Sequence, residues 1–128
     1  MHKTSAWPLS LLYVGLVVYA SLYPFADWRY QGIMPWAFLG SPWPRYWSAA
    51  DVAINVLGYV PLGFLLALSR RRSGRLRFAA LTAILVASAL SVVMESLQSY
   101  LPARVPSLLD FSLNTAGALC GASAAHAL

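Results

Sequence analysis

Residues 50–72 read ADVAINVLGYVPLGFLLALSRRR. No charge falls between Asp51 and Arg70, and the gap is about as long as the run of roughly 20 apolar residues that carries a helix across a bilayer. The stretch reads as a membrane span over residues 50–69, with a polar start and an arginine stop. Three further spans are expected at about 7–25, 78–98 and 108–128. The composition agrees. Of 128 residues, 59% are hydrophobic and 10% charged, against roughly 45–50% and about 25% in soluble domains, and the mean hydropathy is +0.63. So few polar side chains cannot cover the core of a soluble globule, and disorder needs the opposite balance of charge and apolar residues. The expected fold is all-α: one domain over residues 1–128, a polytopic membrane protein with four transmembrane helices. The single cysteine, Cys120, excludes an intramolecular disulfide and a multi-cysteine metal site.

Basic residues set the orientation. Arg70, Arg71, Arg72, Arg75 and Arg77 form the loop between spans two and three, and Lys3 adds to the same side. Arg29, Arg45 and Arg104 occupy the other side. The richer side is cytoplasmic by the positive-inside rule, which places both termini in the cytoplasm. The net charge of +5 belongs to this bias, so nucleic acid is not an expected partner; the arginine run also suits anionic lipid. The first span has a second reading as a signal peptide, with Lys3 as its basic region and Val18-Tyr19-Ala20 as a cleavage site. The apolar run continues to Phe25 and three further spans need an even partner, which favours a retained helix.

The following loop, about residues 26–49, holds Trp28, Trp36, Trp43 and Trp47 together with Pro35, Pro42 and Pro44. Indole rings favour the membrane–water boundary, and prolines prevent a long helix. The segment is expected along the outer surface, as an interfacial anchor or as a lid over a site.

All four acidic residues, Asp27, Asp51, Glu95 and Asp110, fall outside the spans or near their outer ends, level with Arg45 and Arg104. Asn55, Gln98 and Asn114 lie within about one turn of that level, at about 1.5 Å per residue. Polar groups at membrane depth are costly unless they pair or face water, and they mark functional sites by default. The candidate site therefore comprises Asp51, Asn55, Glu95, Gln98, Arg104, Asp110 and Asn114, contributed by spans two, three and four.

Two parts of this set share one pattern. Arg45, Ser48, Asp51, Asn55 and Gly58 match Arg104, Ser107, Asp110, Asn114 and Gly117 at a constant offset of 59 positions. Both segments enter the membrane from outside, as parallel repeats do, although spans one and three share no such pattern. Each Ser-x-x-Asp is a helix-start signature, and an aspartate in the first turn gains about 0.3–1 kcal/mol from the helix dipole. Capping alone, and capping combined with a role in a site, both fit the aspartates. The asparagines follow at i+4 on the same face, suited to interhelical hydrogen bonds of about 0.6 kcal/mol or to a ligand.

Glu95 lies near the C-terminal end of span three, where the dipole disfavours negative charge. It must be neutral, exposed to water or paired with a cation, and Arg104 is the nearest external one in sequence. A structural Glu95–Arg104 clamp and a group that exchanges protons or binds a polar substrate are both open readings. Gln98, at i+3, shares its face. Gly117 and Gly121 form a GxxxG step for close helix approach. Gly58, Pro61 and Gly63 are expected to interrupt span two and leave the Leu57 carbonyl free. His2 and His126 fit no metal-ligand pattern, and no phosphate loop, nucleophile–histidine pair or cysteine cluster is present. No metal or cofactor is expected.

Asp51-Val-Ala-Ile-Asn55-Val-Leu-Gly58-Tyr-Val-Pro61-Leu-Gly63 resembles the first motif of the VanZ-like family. Glu95-Ser-Leu-Gln98, followed by Arg104, Ser107, Asp110, Asn114, Gly117 and Gly121, resembles the second. The resemblance implies a small, multi-pass bacterial protein of the inner (plasma) membrane that acts at the cell envelope, with a link to resistance against the glycopeptide antibiotic teicoplanin. It implies no reaction. The leading expectation is an outward-facing polar site that binds or processes a polar or glycosylated envelope component, lipid-linked in one version. Arg104 would grip phosphate or carboxylate, and the amides would read hydroxyls. Two alternatives stand beside it: a membrane hydrolase or transferase with Glu95 as the proton-transfer group, and a structural or partner-binding protein whose polar cluster fastens the helices. Membrane lipids are partners in every version. Four short spans leave a monomer little room for a transport pathway, which an oligomer would reopen.

Overall fold

A computed structural model describes residues 5–72 and 78–128. The chain forms α1 (Ala6–Leu22), a short 3-10 turn (Ala37–Gly40), α2 (Ala49–Arg72), α3 (Ala79–Gln98) and α4 (Leu108–His126). No strand occurs among the described residues. Lys3, His2 and the Arg75 and Arg77 part of the basic loop lie outside them. Among the described residues two of the four expected spans, α2 and α3, are helices both long and apolar enough to cross a membrane; α1 is apolar but 17 residues long, and α4, at 19 residues, does not reach the same apolarity.

One boundary and one expected interruption differ from the sequence reading. Helix α1 stops at Leu22 and not at residue 25, because Pro24 follows and Tyr23 takes the extended conformation (ψ 134°) that a residue preceding proline favours. Helix α2 runs unbroken for 24 residues with Pro61 inside it, so Gly58, Pro61 and Gly63 do not interrupt it. Neighbouring helices can support a proline-bearing segment in a membrane. Here the Tyr13 hydroxyl of α1 donates to the Gly58 carbonyl at 2.5 Å, one residue beyond the Leu57 carbonyl that Pro61 deprives of its donor.

The closest interface joins α2 to α4, which run in the same direction. A Cβ at Gly63 would fall on the Ala118 carbonyl, one at Gly117 on that of Val56, and one at Gly121 on that of Val60. The absence of side chains at these three positions lets the two backbones touch, the expected use of the GxxxG step. Ala67, Ala83, Ala122 and Ala125 continue the close packing toward the arginine-rich end, where the Arg71 guanidinium donates to the Ala125 carbonyl, a cation at the negative end of α4. Helix α3 runs antiparallel to α4, with the Ser88 and Thr115 hydroxyls 3.1 Å apart. Helix α1 leans on the others through Val17, packed with Tyr59, Leu62, Ala87 and Ala118, and through Leu22, packed with Met94 and Leu101. Outward faces stay apolar: Leu12, Leu57 and Leu85 are each at least 60% exposed.

The up-down-up-down order brings the C-terminal ends of α1 and α3 and the N-terminal ends of α2 and α4 to one end of the bundle. The long α1–α2 connection crosses this end. It is tied to the α3–α4 turn by the Arg29 amide on the Tyr100 carbonyl (2.9 Å) and the Gln31 side chain on the Ser99 carbonyl (2.8 Å). Phe38 is buried near Phe111. The four tryptophans of this connection are all exposed.

Candidate functional site

The site grows from two helix starts. Ser48 Oγ accepts from the Asp51 amide at 3.0 Å and Ser107 Oγ from the Asp110 amide at 2.9 Å, the serine half of a capping box. In a complete box the acid at the third position reaches back to the amide of the cap. At α4 a residue from another helix does this: the Ser107 amide donates to Glu95 Oε2 at 2.9 Å. Glu95 is at the wrong end of α3 for a negative charge, yet it sits at the N-terminal end of α4, where the dipole favours one. The Glu95–Arg104 clamp, one of the two readings open in the sequence, does not form. Among the described residues no ion pair joins the two; the Ser107 amide takes Glu95 Oε2, and Arg104 is half-buried. Arg104 remains within electrostatic reach of Glu95 and Asp110.

Released from back-capping, the Asp110 carboxyl receives the Asn55 amide at 3.3 Å, and the same amide donates to the Asp51 carbonyl at 2.9 Å. Asn55 thus stitches α2 to α4. Asn114 donates to Ser91 Oγ of α3 at 2.9 Å, and Gln98 donates to the Ser21 carbonyl of α1 at 2.8 Å. Within this set the Asn114 Oδ1 is buried without a hydrogen-bond partner, and the buried Tyr59 hydroxyl has the Ser91 side chain beside it.

All seven residues expected at the site line one cavity of about 820 Å³, within the range of small-molecule sites. Glu95, Gln98 and Asn114 are buried in its floor at 5% exposure or less. Asn55, Arg104 and Asp110 are half-buried above them, and Asp51 is exposed at the rim. Asp27 and Arg45, which share that level in sequence, do not line it. Among the described residues no three His, Cys, Asp or Glu side chains gather as a metal would require. The arrangement offers one guanidinium, three carboxyl groups and three amides, suited to a head group that carries an anion and hydrogen-bonding groups.

Spans two to four were expected to form the site, with the long connection as a lid over it in one reading. In the structure α1 supplies a fourth wall through Tyr13, Val17 and Ser21, and the end of the long connection adds Tyr46 and Trp47. Trp28, Trp36 and Trp43 do not reach the cavity, so only the last part of the connection overhangs it. Tyr59 and Ser91 were also missed, although helical spacing marks both. Asp51, Asn55 and Tyr59 follow i, i+4, i+8, and Ser91, Glu95 and Gln98 follow i, i+4, i+7. Helix α1 gives no comparable signal, since Ser21 contributes a backbone carbonyl.

Residues 7–128 match the VanZ/LLP1 family. The chain belongs to that family. No curated protein and no solved structure matches it. In this VanZ/LLP1 chain the two motif regions, distant in sequence, face each other across the cavity, and they supply all seven polar residues named above.

Proposed function

We propose that this VanZ/LLP1 chain is a bacterial inner-membrane protein whose four helices all cross the bilayer, with both termini cytoplasmic. Its cavity opens outward and holds the polar head of a lipid-linked or glycosylated envelope component. The arginine bias toward one end and the exposed tryptophans at the other support the orientation. At about 1.5 Å per residue, α1 and α4 reach about 25 and 28 Å, short of a hydrocarbon core of about 30 Å by an amount that local thinning absorbs. In this orientation Arg104 holds phosphate or carboxylate through its fork of donors, Asn55 and Gln98 read hydroxyls, and Glu95 holds the floor against the α4 start.

One observation carries the proposal. Polar side chains from three helices converge on a cavity, and one of its lining residues, Asn114, keeps a buried Oδ1 without a partner. A cluster that only fastened helices would satisfy its own groups, as buried polar atoms nearly always are satisfied. The presence of Asp51, Glu95 and Asp110 around the same space favours a second reading, acid–base hydrolysis or transfer on the bound component with Glu95 moving the proton.

The test is native mass spectrometry of protein purified with its own lipids. Wild type is expected to retain an envelope lipid that Arg104→Gln loses at least tenfold, with unchanged thermal unfolding. Folded Arg104→Gln and Glu95→Gln variants that keep the same lipid and the same envelope phenotype contradict the proposal. Conversion of that lipid by wild type but not by Glu95→Gln selects the enzymatic reading. A link to glycopeptides predicts that teicoplanin susceptibility follows the same variants.

A further inference from the structure

The charged groups around the cavity stand close together without neutralising one another. Arg104, on the α3–α4 turn, lines it with Asp51, Glu95 and Asp110, so carboxyl groups outnumber guanidinium groups three to one. Arg104 is within electrostatic reach of Glu95 and Asp110, and Asp110 of Asp51. Among the described residues none of these opposite charges forms an ion pair, and neither the Arg104 guanidinium nor the Asp51 carboxyl takes a hydrogen bond. Asp110 accepts from Asn55 through Oδ1, and Glu95 accepts from the Ser107 amide through Oε2. Each of the two carboxyl groups keeps its second oxygen for another donor.

Charges at membrane depth normally pair with one another. Four that line one cavity unpaired suit a ligand that pairs with both signs. A purely anionic head answers Arg104 but faces three carboxyl groups, and a purely cationic head leaves Arg104 bare. A head that carries a phosphate and a primary ammonium answers both. The guanidinium fork matches phosphate oxygens, and an ammonium has three N–H donors for carboxylates, which only accept. The rim points to the source of such a head. Leu16 of α1 (55% exposed) and Ile54 of α2 (69% exposed) border the same cavity, and nothing lies within 4 Å of the Cβ position at Gly58 beside them. Acyl chains attached to a head in the cavity have an apolar edge to rest on.

We infer that the cavity takes the head of an aminophospholipid, with its phosphate on Arg104, its ammonium at the Asp51–Asp110 edge and its chains against Leu16 and Ile54. The inference rests on the cavity being a ligand site, as proposed above, and adds the second charge of the head.

The experiment titrates full-length protein in detergent micelles at neutral pH and counts bound ligand by native mass spectrometry. The probes are phosphatidylethanolamine, phosphatidylglycerol (no cation), phosphatidylcholine (a cation without N–H) and free phosphoethanolamine. Phosphatidylethanolamine is expected to bind at least tenfold better than the other three, and Arg104→Gln to lose that binding at least tenfold. Asp51→Asn changes a carboxyl that holds no other group in place. It is expected to narrow the preference for phosphatidylethanolamine over phosphatidylglycerol at least threefold, and Asp110→Asn, which keeps an acceptor for Asn55, to do the same. A merely structural aspartate would weaken both lipids alike and leave their ratio unchanged, which overturns the inference. Phosphatidylglycerol binding as well as phosphatidylethanolamine, still dependent on Arg104, overturns the ammonium assignment and leaves the ligand site standing. Equal binding of phosphatidylcholine overturns recognition through N–H, and equal binding of free phosphoethanolamine overturns the lipid source. Failure of every probe, while an Arg104-dependent envelope lipid still co-purifies, overturns this inference alone. Failure of every probe with no co-purifying lipid overturns the ligand site as well.

Discussion

The starts of α2 and α4 carry the same five residue types at the same spacing, and the fold uses them differently. The serines behave alike, each capping its helix through the amide three residues on. The other positions diverge. Asp51 is exposed, whereas Asp110 is half-buried and held by Asn55. Asn55 bridges two helices from the cavity wall, whereas Asn114 is buried with one atom unpartnered. Gly58 borders open space, whereas Gly117 lies against the Val56 carbonyl. Local physics fixes the cap. The remaining roles follow from position in the bundle, since α4 packs between α2 and α3, while the α2 start touches α4 only through Asn55 and Val56 and otherwise borders the cavity and the bundle's outer face.

Substitutions at matched positions should separate these roles, and the glycines should differ most. Gly117→Leu has nowhere to place its side chain except into the α2 backbone. Overpacking typically costs about 1–3 kcal/mol, and the upper end or loss of folding is expected, read by thermal unfolding in micelles. Gly58→Ala meets open space and removes a helix-interior glycine, so it should stabilise by about 0.5–1 kcal/mol. Equal effects at the two positions would break the distinction. The asparagines come next. Asn114→Ala leaves the Ser91 hydroxyl buried without its donor, a loss of about 1–3 kcal/mol, while Asn55→Ala should cost about 0.6 kcal/mol, as for a typical interhelical bond in a membrane. The serines should differ least. Both Ser→Ala changes remove a cap worth about 0.5–2 kcal/mol and should cost alike, because Ser107→Ala keeps the backbone amide that binds Glu95.

The polar half of the site was legible because unpaired polar residues stand out in apolar helices. Asp51, Asn55, Glu95, Gln98, Arg104, Asp110 and Asn114 needed only spacing and level to be grouped. The partner of Glu95 was not legible. Arg104 is the obvious cation in sequence, but the winning donor is a backbone amide at a helix start, and the main chain of Ser107 has no signature that distinguishes it from any other. The same limit hid α1, which contributes a carbonyl at Ser21 and a hydroxyl at Tyr13 from an otherwise featureless apolar run. Continuity of α2 through Pro61 was misread for a related reason, since its support comes from a neighbouring helix. The GxxxG step was read correctly because close backbone approach requires glycine itself at the contact.

The most direct measurement is thiol labelling at Asn55→Cys with the exposed Cys120 replaced by serine, using a membrane-impermeant reagent on intact cells. A polar cavity open at the end opposite the arginines predicts labelling from outside, slowed when Gly58→Leu narrows the space. No labelling from outside, or labelling only once the cytoplasmic face is opened, would contradict it.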